Sequence, residues 1–379
     1  MSRNLKWLGV IKEASKKRRW TMRQLVMNAA LATLMGCAPK TLDVLPQVTG
    51  LSRSIKVERL GSGPVIRPGM AGLEGELGEN INGPAVIRVP DWIEGRLGRY
   101  YMYFAHHRGD YIRLAYADHP AGPWTVHPGR TLRLEQTTAL HHIASPEVVV
   151  DEANRRLLLY FHGPVEMPGQ DFGGRPYRQE SFVAQSSDGL RFEPLSGGFS
   201  APYMRVFSHR GVRYGLAMAD KEGAYPAWLR SGRFFRAQDG LMPVLPGPRI
   251  LDEMRHAALL HRGDRLHVFY SKVGDDPERI MHAQVDLRPH WSEWTAGPSE
   301  EVMRAQENWE GADLPATASV GGMAYGEVNA LRDPAILDDG LAVYLYYTVR
   351  GERGIAMAQL HFEGESVNRD EHTEKAPTR

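Results

Sequence analysis

The chain has 379 residues, 42% hydrophobic and 24% charged, with 39 Gly, 25 Pro and one Cys. These proportions exclude wholesale disorder, a polytopic membrane protein, a collagen-like fibre and a disulfide framework. The net charge of +1 hides an asymmetry: residues 1–36 hold eight Lys or Arg and one acid, Glu13, leaving 38 basic against 44 acidic residues elsewhere, a net of −6. A body of that charge without a dense Lys/Arg stripe excludes nucleic acid as a partner.

The first element in chain order is a targeting segment. Lys16-Lys17-Arg18-Arg19 precedes a mostly apolar run from Leu25 to Gly36, too short to span a bilayer, that ends Leu34-Met35-Gly36-Cys37-Ala38. It resembles a bacterial lipoprotein signal, in which cleavage precedes a Cys that is then acylated. Residues 1–36 are therefore expected to be a lipoprotein-type signal peptide, with Cys37 as the lipidation site. A start at Met22, with Arg23 as its charge, gives a more ordinary signal of the same kind. Residues 37–60 read as a tether and a closing strand. The expected location is the bacterial periplasm, outer membrane or cell surface, with the membrane reached only through the lipid.

From residue 61 to 362 short runs rich in Val, Ile, Tyr, Phe and Leu alternate with Gly, Pro, Asp and Asn, the pattern of many short strands. Four units open with a small residue or Asp before a Pro: Gly83-Pro84, Ser145-Pro146, Ala201-Pro202 and Asp333-Pro334. A fifth, His256-Ala257-Ala258-Leu259-Leu260, lacks the Pro. Each is followed by an aromatic-rich strand, such as Tyr100–Phe104 or Val343–Tyr347, and then by a third strand, such as Ile112–Ala117 or Ile355–Gln359. A unit that recurs every ~55–75 residues and cannot bury its own faces is a propeller blade. The fold predicted is all-β, a five-bladed β-propeller over 61–362, followed by a polar tail at 363–379.

The sequence resembles the five-bladed glycoside hydrolases, the group containing families 43, 62, 117 and 130. The resemblance rests on the blade pattern and on short motifs. Ala121-Gly122-Pro123-Trp124 is similar to the turn common in family 43, and Ser187-Asp188-Gly189-Leu190-Arg191-Phe192 to an element of related furanosidases. Leu331-Arg332-Asp333-Pro334 with Gly351-Glu352-Arg353-Gly354 is similar to the closing blade of such proteins. The resemblance implies carboxylates at the starts of the inner strands, with an Asp base on the first blade. Asn80-Ile81-Asn82 stands there instead. An amide cannot take a proton from water, so Asn82 is expected to bind rather than to act as base.

Glycoside hydrolysis needs an acid for the leaving oxygen and a second carboxyl for water or direct attack. Asp333, before Pro334, is expected to face the channel, and Glu147 enters an otherwise apolar strand where a carboxylate is costly unless used. Glu310 lies in a long insertion of the kind that borders sites. These three are the catalytic candidates. His106, His107, His142, His162 and His256 fall at strand ends that a propeller gathers, and imidazoles there can hold hydroxyls or tune a carboxylate. Arg255 and Arg332 flank strand entrances and can clamp an anionic group, and Trp309 can offer a sugar platform. No spacing for a catalytic metal is present. No cofactor is required, with room only for a structural calcium in the channel.

The reading is a secreted glycoside hydrolase, exo-acting and inverting as the resemblance implies, on a poly- or oligosaccharide, as a monomer or weak oligomer. Inversion predicts carboxyl groups roughly 6.5–9.5 Å apart. Two alternatives stay open: a non-catalytic glycan-binding propeller, favoured by Asn82, and a polysaccharide lyase using His, Tyr and Arg.

Overall fold

The computed structural model describes residues 55–169, 176–220, 230–238 and 240–363. Cys37, the expected signal peptide, most of the tether and nearly all of the polar tail lie outside the described residues.

The described residues form a five-bladed β-propeller. Blade one is β2 (Asn82–Arg88), β3 (Tyr100–Ala105), β4 (Tyr111–Ala117) and β5 (Thr125–Val126), with β6 (Leu132–Arg133) also on β4. Blade two is β7 (Ala144–Asp151), β8 (Arg156–Glu166), β9 (Tyr177–Ser186) and β10 (Glu193–Pro194). Blade three is β11 (Arg205–His209), β12 (Val212–Asp220), β13 (Arg230–Ala237) and β14 (Pro243–Asp252). Blade four is β15 (Met254–Arg262), β16 (Arg265–Lys272), β17 (Ile280–Asp286) and β18 (Glu300–Met303). Blade five is β19 (Arg332–Asp338), β20 (Val343–Thr348), β21 (Ile355–Phe362) and, as its outer strand, β1 (Ile55–Arg59). The N-terminal strand thus completes the last blade, pairing Ile55 with Phe362 and Arg59 with Ala358, and covers an edge that β21 would otherwise expose.

Period-2 alternation gives each strand one face for each neighbouring blade. On β3, Tyr101 and Tyr103 join Leu157, Phe161, Phe182 and Phe192 between blades one and two. Met102 and Phe104, on the opposite face, join Tyr346 and Met357 between blades one and five. Three similar layers fill the remaining junctions. No blade is hydrophobic enough alone; the ring is the folding unit.

Two of the motifs prove to be locks between blades. The Ser186 hydroxyl accepts from the Asp188 and Gly189 amides, Asp188 Oδ1 accepts from Leu190 and Arg191, and the Gly189 carbonyl accepts from the Tyr103 hydroxyl at 2.9 Å. The Pro120 carbonyl accepts from Trp124 Nε1 at 3.2 Å and from the Tyr346 hydroxyl at 2.8 Å, joining blades one and five.

The innermost strands β2, β7, β11, β15 and β19 stand side by side around the axis. Their entrances are irregular in a repeated way. Gly83 (φ 61°), Ser145 (φ 50°) and Asp333 (φ 48°) adopt left-handed backbone immediately before a Pro, and Tyr203 (φ 62°) immediately after one. The ladder slips between Asn82 and Ala85, Ala144 and Glu147, Met254 and Ala257, and Arg332 and Ala335. A bulge re-aims side chains and breaks pairing, which is why Pro is tolerated there. In blade three the expected strand at Ala201–Met204 is not one: β11 begins at Arg205, because Pro202 has no amide to donate and Tyr203 is left-handed.

Candidate functional site

Asp333 is the buried centre of the entrances. Its Oδ1 meets Nδ1 of His256, and its Oδ2 accepts from the Gly83 amide and the Thr348 hydroxyl, both at 3.4 Å. Burial acts to raise its pKa, and His256, with Arg332 and Arg255 behind it, overrides this and holds the carboxyl far below its ordinary range. Gly83 permits this approach: its backbone is left-handed, and a Cβ there would stand 3.1 Å from Ser145 Cα.

His256 is buried, and burial lowers its pKa against the raising effect of Asp333, which biases the imidazole toward its neutral form. With Nδ1 on a carboxylate, the proton belongs on Nδ1 and Nε2 is left as the basic nitrogen. The Tyr203 ring lies between two imidazoles, 4.5 Å from His256 and 4.1 Å from His162 centre to centre. Its hydroxyl makes no hydrogen bond among the described residues. Burial pushes His162 well below its ordinary value, and His142 next to it down to about 4. Gln179 Nε2 stands 3.4 Å from His142 Nε2.

Buried ion pairs behind these residues hold them in place. Glu278, fully buried, bridges Arg255 Nε at 2.9 Å and Arg332 Nε at 2.7 Å. Arg255 also donates to the Gly322 carbonyl at 2.8 Å and to that of Val320. Glu352 Oε2 accepts from Asn80 at 2.6 Å and from Asn82 at 3.1 Å, while Oε1 accepts from the Ala324 amide at 3.2 Å and lies 3.4 Å from both Arg332 and His107. Burial acts to raise Glu352; the His107 hydrogen bond and charge, then Arg332, bring it down to about 2. Asn80 Oδ1 accepts from Asn82 and from the His107 amide, and its carbonyl accepts from buried Arg113.

Glu147 is set apart from these ion pairs. Its side chain keeps 22% exposure in an otherwise enclosed wall, and burial raises its pKa against Arg205, whose Nε is 3.7 Å away, and the Val206 amide. Arg205 donates to the carbonyls of Ser145, Pro146 and Ala257, the residue after His256. One guanidinium therefore spans the wall from Glu147 to the strand that carries His256.

The structure gathers Asn82, His107, His142, His162, Arg255, His256, Arg332 and Asp333 at the entrances and puts Glu147 beside them. His106 closes the β3–β4 turn at the rim, its Nδ1 accepting from the Arg108 amide. Three expectations need correction. Glu310 is fully buried at the outer side of blade five, where Arg59 Nε and the Tyr347 hydroxyl take one oxygen and the Gln306 and Glu307 amides the other. It has no lone pair left to serve a substrate, and it fastens β1. Trp309 packs into the layer between blades four and five, so it is no platform. Arg255 and Arg332 spend their guanidinium groups on Glu278, Glu352 and loop carbonyls, so neither is a free clamp.

The set does not suit the calcium expected in the channel. Calcium takes six to eight oxygens. Asp333, Glu278 and Glu352 are engaged by His, Arg and Asn, and no cluster of three or more His, Cys, Asp or Glu among the described residues is arranged to hold a metal.

Tyr203, Glu278, Glu352, Asn80 and Arg205 were missed by the sequence reading. Tyr203 was in view, because it directly follows Ala201-Pro202, the blade-three counterpart of Asp333-Pro334. Glu352 sits in a motif used only for resemblance. Glu278 has no local signal.

No protein-family model matches the chain. It is 34% identical over 316 residues to the uncharacterized protein R118 of Acanthamoeba polyphaga mimivirus, covering 74% of this chain and 83% of that protein. Among solved structures it is similar to a thermostable family-43 glycoside hydrolase, with a TM-score of 0.54 at 13% identity over 75% of this chain and 91% of that one. For an α-L-arabinofuranosidase from Lactobacillus brevis the TM-score is 0.53 at 12% identity over 73% and 90%. For a GH43_1 enzyme from Xanthomonas citri complexed with xylose it is 0.52 at 14% identity over 80% and 91%. At these identities the likeness is one of fold.

Proposed function

The chain belongs to the family of the mimivirus protein R118 and carries the five-bladed glycoside hydrolase fold, and from that premise we propose that it hydrolyses a glycan at the inner-strand entrances. The observation that carries this is the buried Asp333–His256 pair, with Glu147 linked to the His256 strand through Arg205. Burial pushes the Glu147 carboxyl up from its ordinary pKa and the His256 imidazole down from its own. A carboxyl biased toward holding its proton and an imidazole biased toward lacking one are the directions that acid and base catalysis of acetal hydrolysis require.

In the proposed reaction Glu147 gives its proton to the leaving glycosidic oxygen as the bond to the anomeric carbon breaks. His256 Nε2 takes a proton from the water whose oxygen bonds that carbon. Both groups return by proton exchange with solvent. Charge is created in two places already prepared for it: Arg205 lies beside the new carboxylate, and Asp333 beside the new imidazolium. Asp333 is thus a positioning residue that sets the His256 tautomer, in the manner of the carboxylate in a Ser-His-Asp triad. Direct attack of water gives inversion. Tyr203 and Asn82 line the entrance and hold substrate hydroxyls, and His107 and His162 support them. Export to the periplasm, outer membrane or cell surface with a lipid on Cys37, action at chain ends and a monomeric or weakly oligomeric state complete the reading.

A second reading has its own support. The run His162–Tyr203–His256–Asp333 puts a phenol between two imidazoles, the equipment of a lyase that removes a proton from a uronate. Product analysis on a panel of plant, algal and bacterial polysaccharides separates the two. Hydrolysis releases new reducing ends with no ultraviolet absorbance. An unsaturated, absorbing end makes the protein a lyase, and binding without product makes it a glycan receptor.

A further inference from the structure

The loop at 312–330 runs from blade four to blade five and is tied to the site rather than to solvent. Its Val320 and Gly322 carbonyls accept from Arg255, and its Ala324 amide donates to Glu352. Those bonds fix the next residue, Tyr325, at the rim of the entrances. Tyr325 is 75% exposed, follows Gly322 (φ 92°) and precedes Gly326 (φ 83°), and packs into none of the inter-blade layers. Its hydroxyl accepts from Arg108 Nη2 at 3.4 Å. Arg108 comes from the β3–β4 turn, is exposed, and pairs with no carboxylate among the described residues.

Arg108 thereby differs from the arginines below it. Arg255, Arg332 and Arg205 are buried and committed to carboxylates and carbonyls. Asp333, Glu278 and Glu352 are paired from within, by His256, Arg255, Arg332 and His107, which leaves the exposed Arg108 at the rim uncompensated by them. The depression of His142 has burial as its first cause, with His107, His141 and Arg108 adding to it. An exposed aromatic face beside an unpaired guanidinium matches a sugar ring that carries an anion.

We propose that Tyr325 and Arg108 form a subsite for an acidic sugar residue of the glycan, the ring stacking on Tyr325 and the anionic substituent taken by Arg108. The assignment rests on the reading of the entrances as a glycan site, and it narrows the substrate to acidic oligosaccharides. The guanidinium that meets the acid is Arg108, not the Arg255 or Arg332 that the strand entrances suggest.

The test is calorimetric titration of the full chain, which reads binding whether or not cleavage occurs. Three probes are used: a xylo-oligosaccharide bearing glucuronic acid, its carboxyl-reduced counterpart, and a sulfated galacto-oligosaccharide. The expected result is binding of at least one acidic probe roughly tenfold or more tighter than the reduced one, a charge-assisted bond being worth that much. Arg108→Gln should remove that preference and leave the affinity for the reduced probe unchanged, and Tyr325→Ala should weaken both. The two acidic probes separate a carboxylate preference from a sulfate preference. Equal affinity for acidic and reduced probes, no binding of either acidic probe, or an acidic preference untouched by Arg108→Gln would overturn the proposal. Tight acidic binding with no product would sink the hydrolase reading and leave this subsite standing.

Discussion

Glu147 and His256 are displaced from their ordinary pKa values in opposite directions by the same physical cause. Removing water penalises the charged form of each, which is a carboxylate in one case and an imidazolium in the other. Neutralising the acid permanently should therefore disable chemistry without harming the fold. Glu147→Gln is expected to lower turnover of the natural glycan by about 10²–10⁴, the usual worth of a general acid, with an unchanged or higher melting temperature, because the buried carboxyl opposes folding once ionised. In the wild type the alkaline limb of kcat/KM follows loss of the Glu147 proton, and the variant should lack that limb. Stability should show a second signature. A histidine held down to about 4, as His142 is, costs stability as pH falls below the ordinary histidine value, because the unfolded chain protonates first. Glu352, held down to about 2, adds stability above the ordinary carboxylate value that is lost as pH falls toward 2. Denaturant unfolding followed from pH 7 downward should thus find stability falling in two successive windows. A flat profile to pH 4 would contradict the burial of the histidines.

The elements that carry the site are the bulged entrances of the inner strands, and their geometry makes a direct prediction. Gly83 is left-handed and pressed against Ser145, so Gly83→Ala should destabilise by about 1–2 kcal/mol, read as a shift in the denaturant midpoint at constant m-value. Three of these entrances were visible in the sequence as a small residue or Asp before a Pro, and that is why Asp333 and Glu147 could be named from it. The Pro reported a broken ladder, and a broken ladder at a recurring position reports the channel. What could not be read was which polar groups would be spent. Arg255 and Arg332 look free in a linear chain, but Glu278, distant from Arg332 in sequence, takes both. Glu310 looked like a loop acid at a site because nothing local reveals that Arg59, 251 residues earlier in the chain, reaches it. Trp309 was misread for the same reason: its partners are in other strands. Periodicity reports faces of strands, and ion pairs across blades are settled only when the ring closes.

At the scale of the whole molecule, closure depends on two charged joints as well as on the apolar layers. Glu278 ties blade four to blade five through two buried guanidinium groups. Glu278→Ala would remove the carboxylate between two buried guanidinium groups, and is expected to cost about 3–5 kcal/mol, measurable by denaturant unfolding. Glu310 fastens β1 through Arg59 and so holds the outer strand of blade five. The ring brings residues from all five inner strands to one place, and there the fold of the family-43 enzymes is furnished with an Asp–His pair and a separate Glu whose pKa burial raises. The most direct test of that assignment compares two substrates on Glu147→Gln: the glycan found to be cleaved, and an aryl glycoside of the same sugar whose leaving group needs no proton. The account predicts that cleavage of the natural glycan collapses while the activated glycoside is hydrolysed at close to the wild-type rate. Equal loss on both substrates, or full activity on both, would contradict Glu147 as the acid.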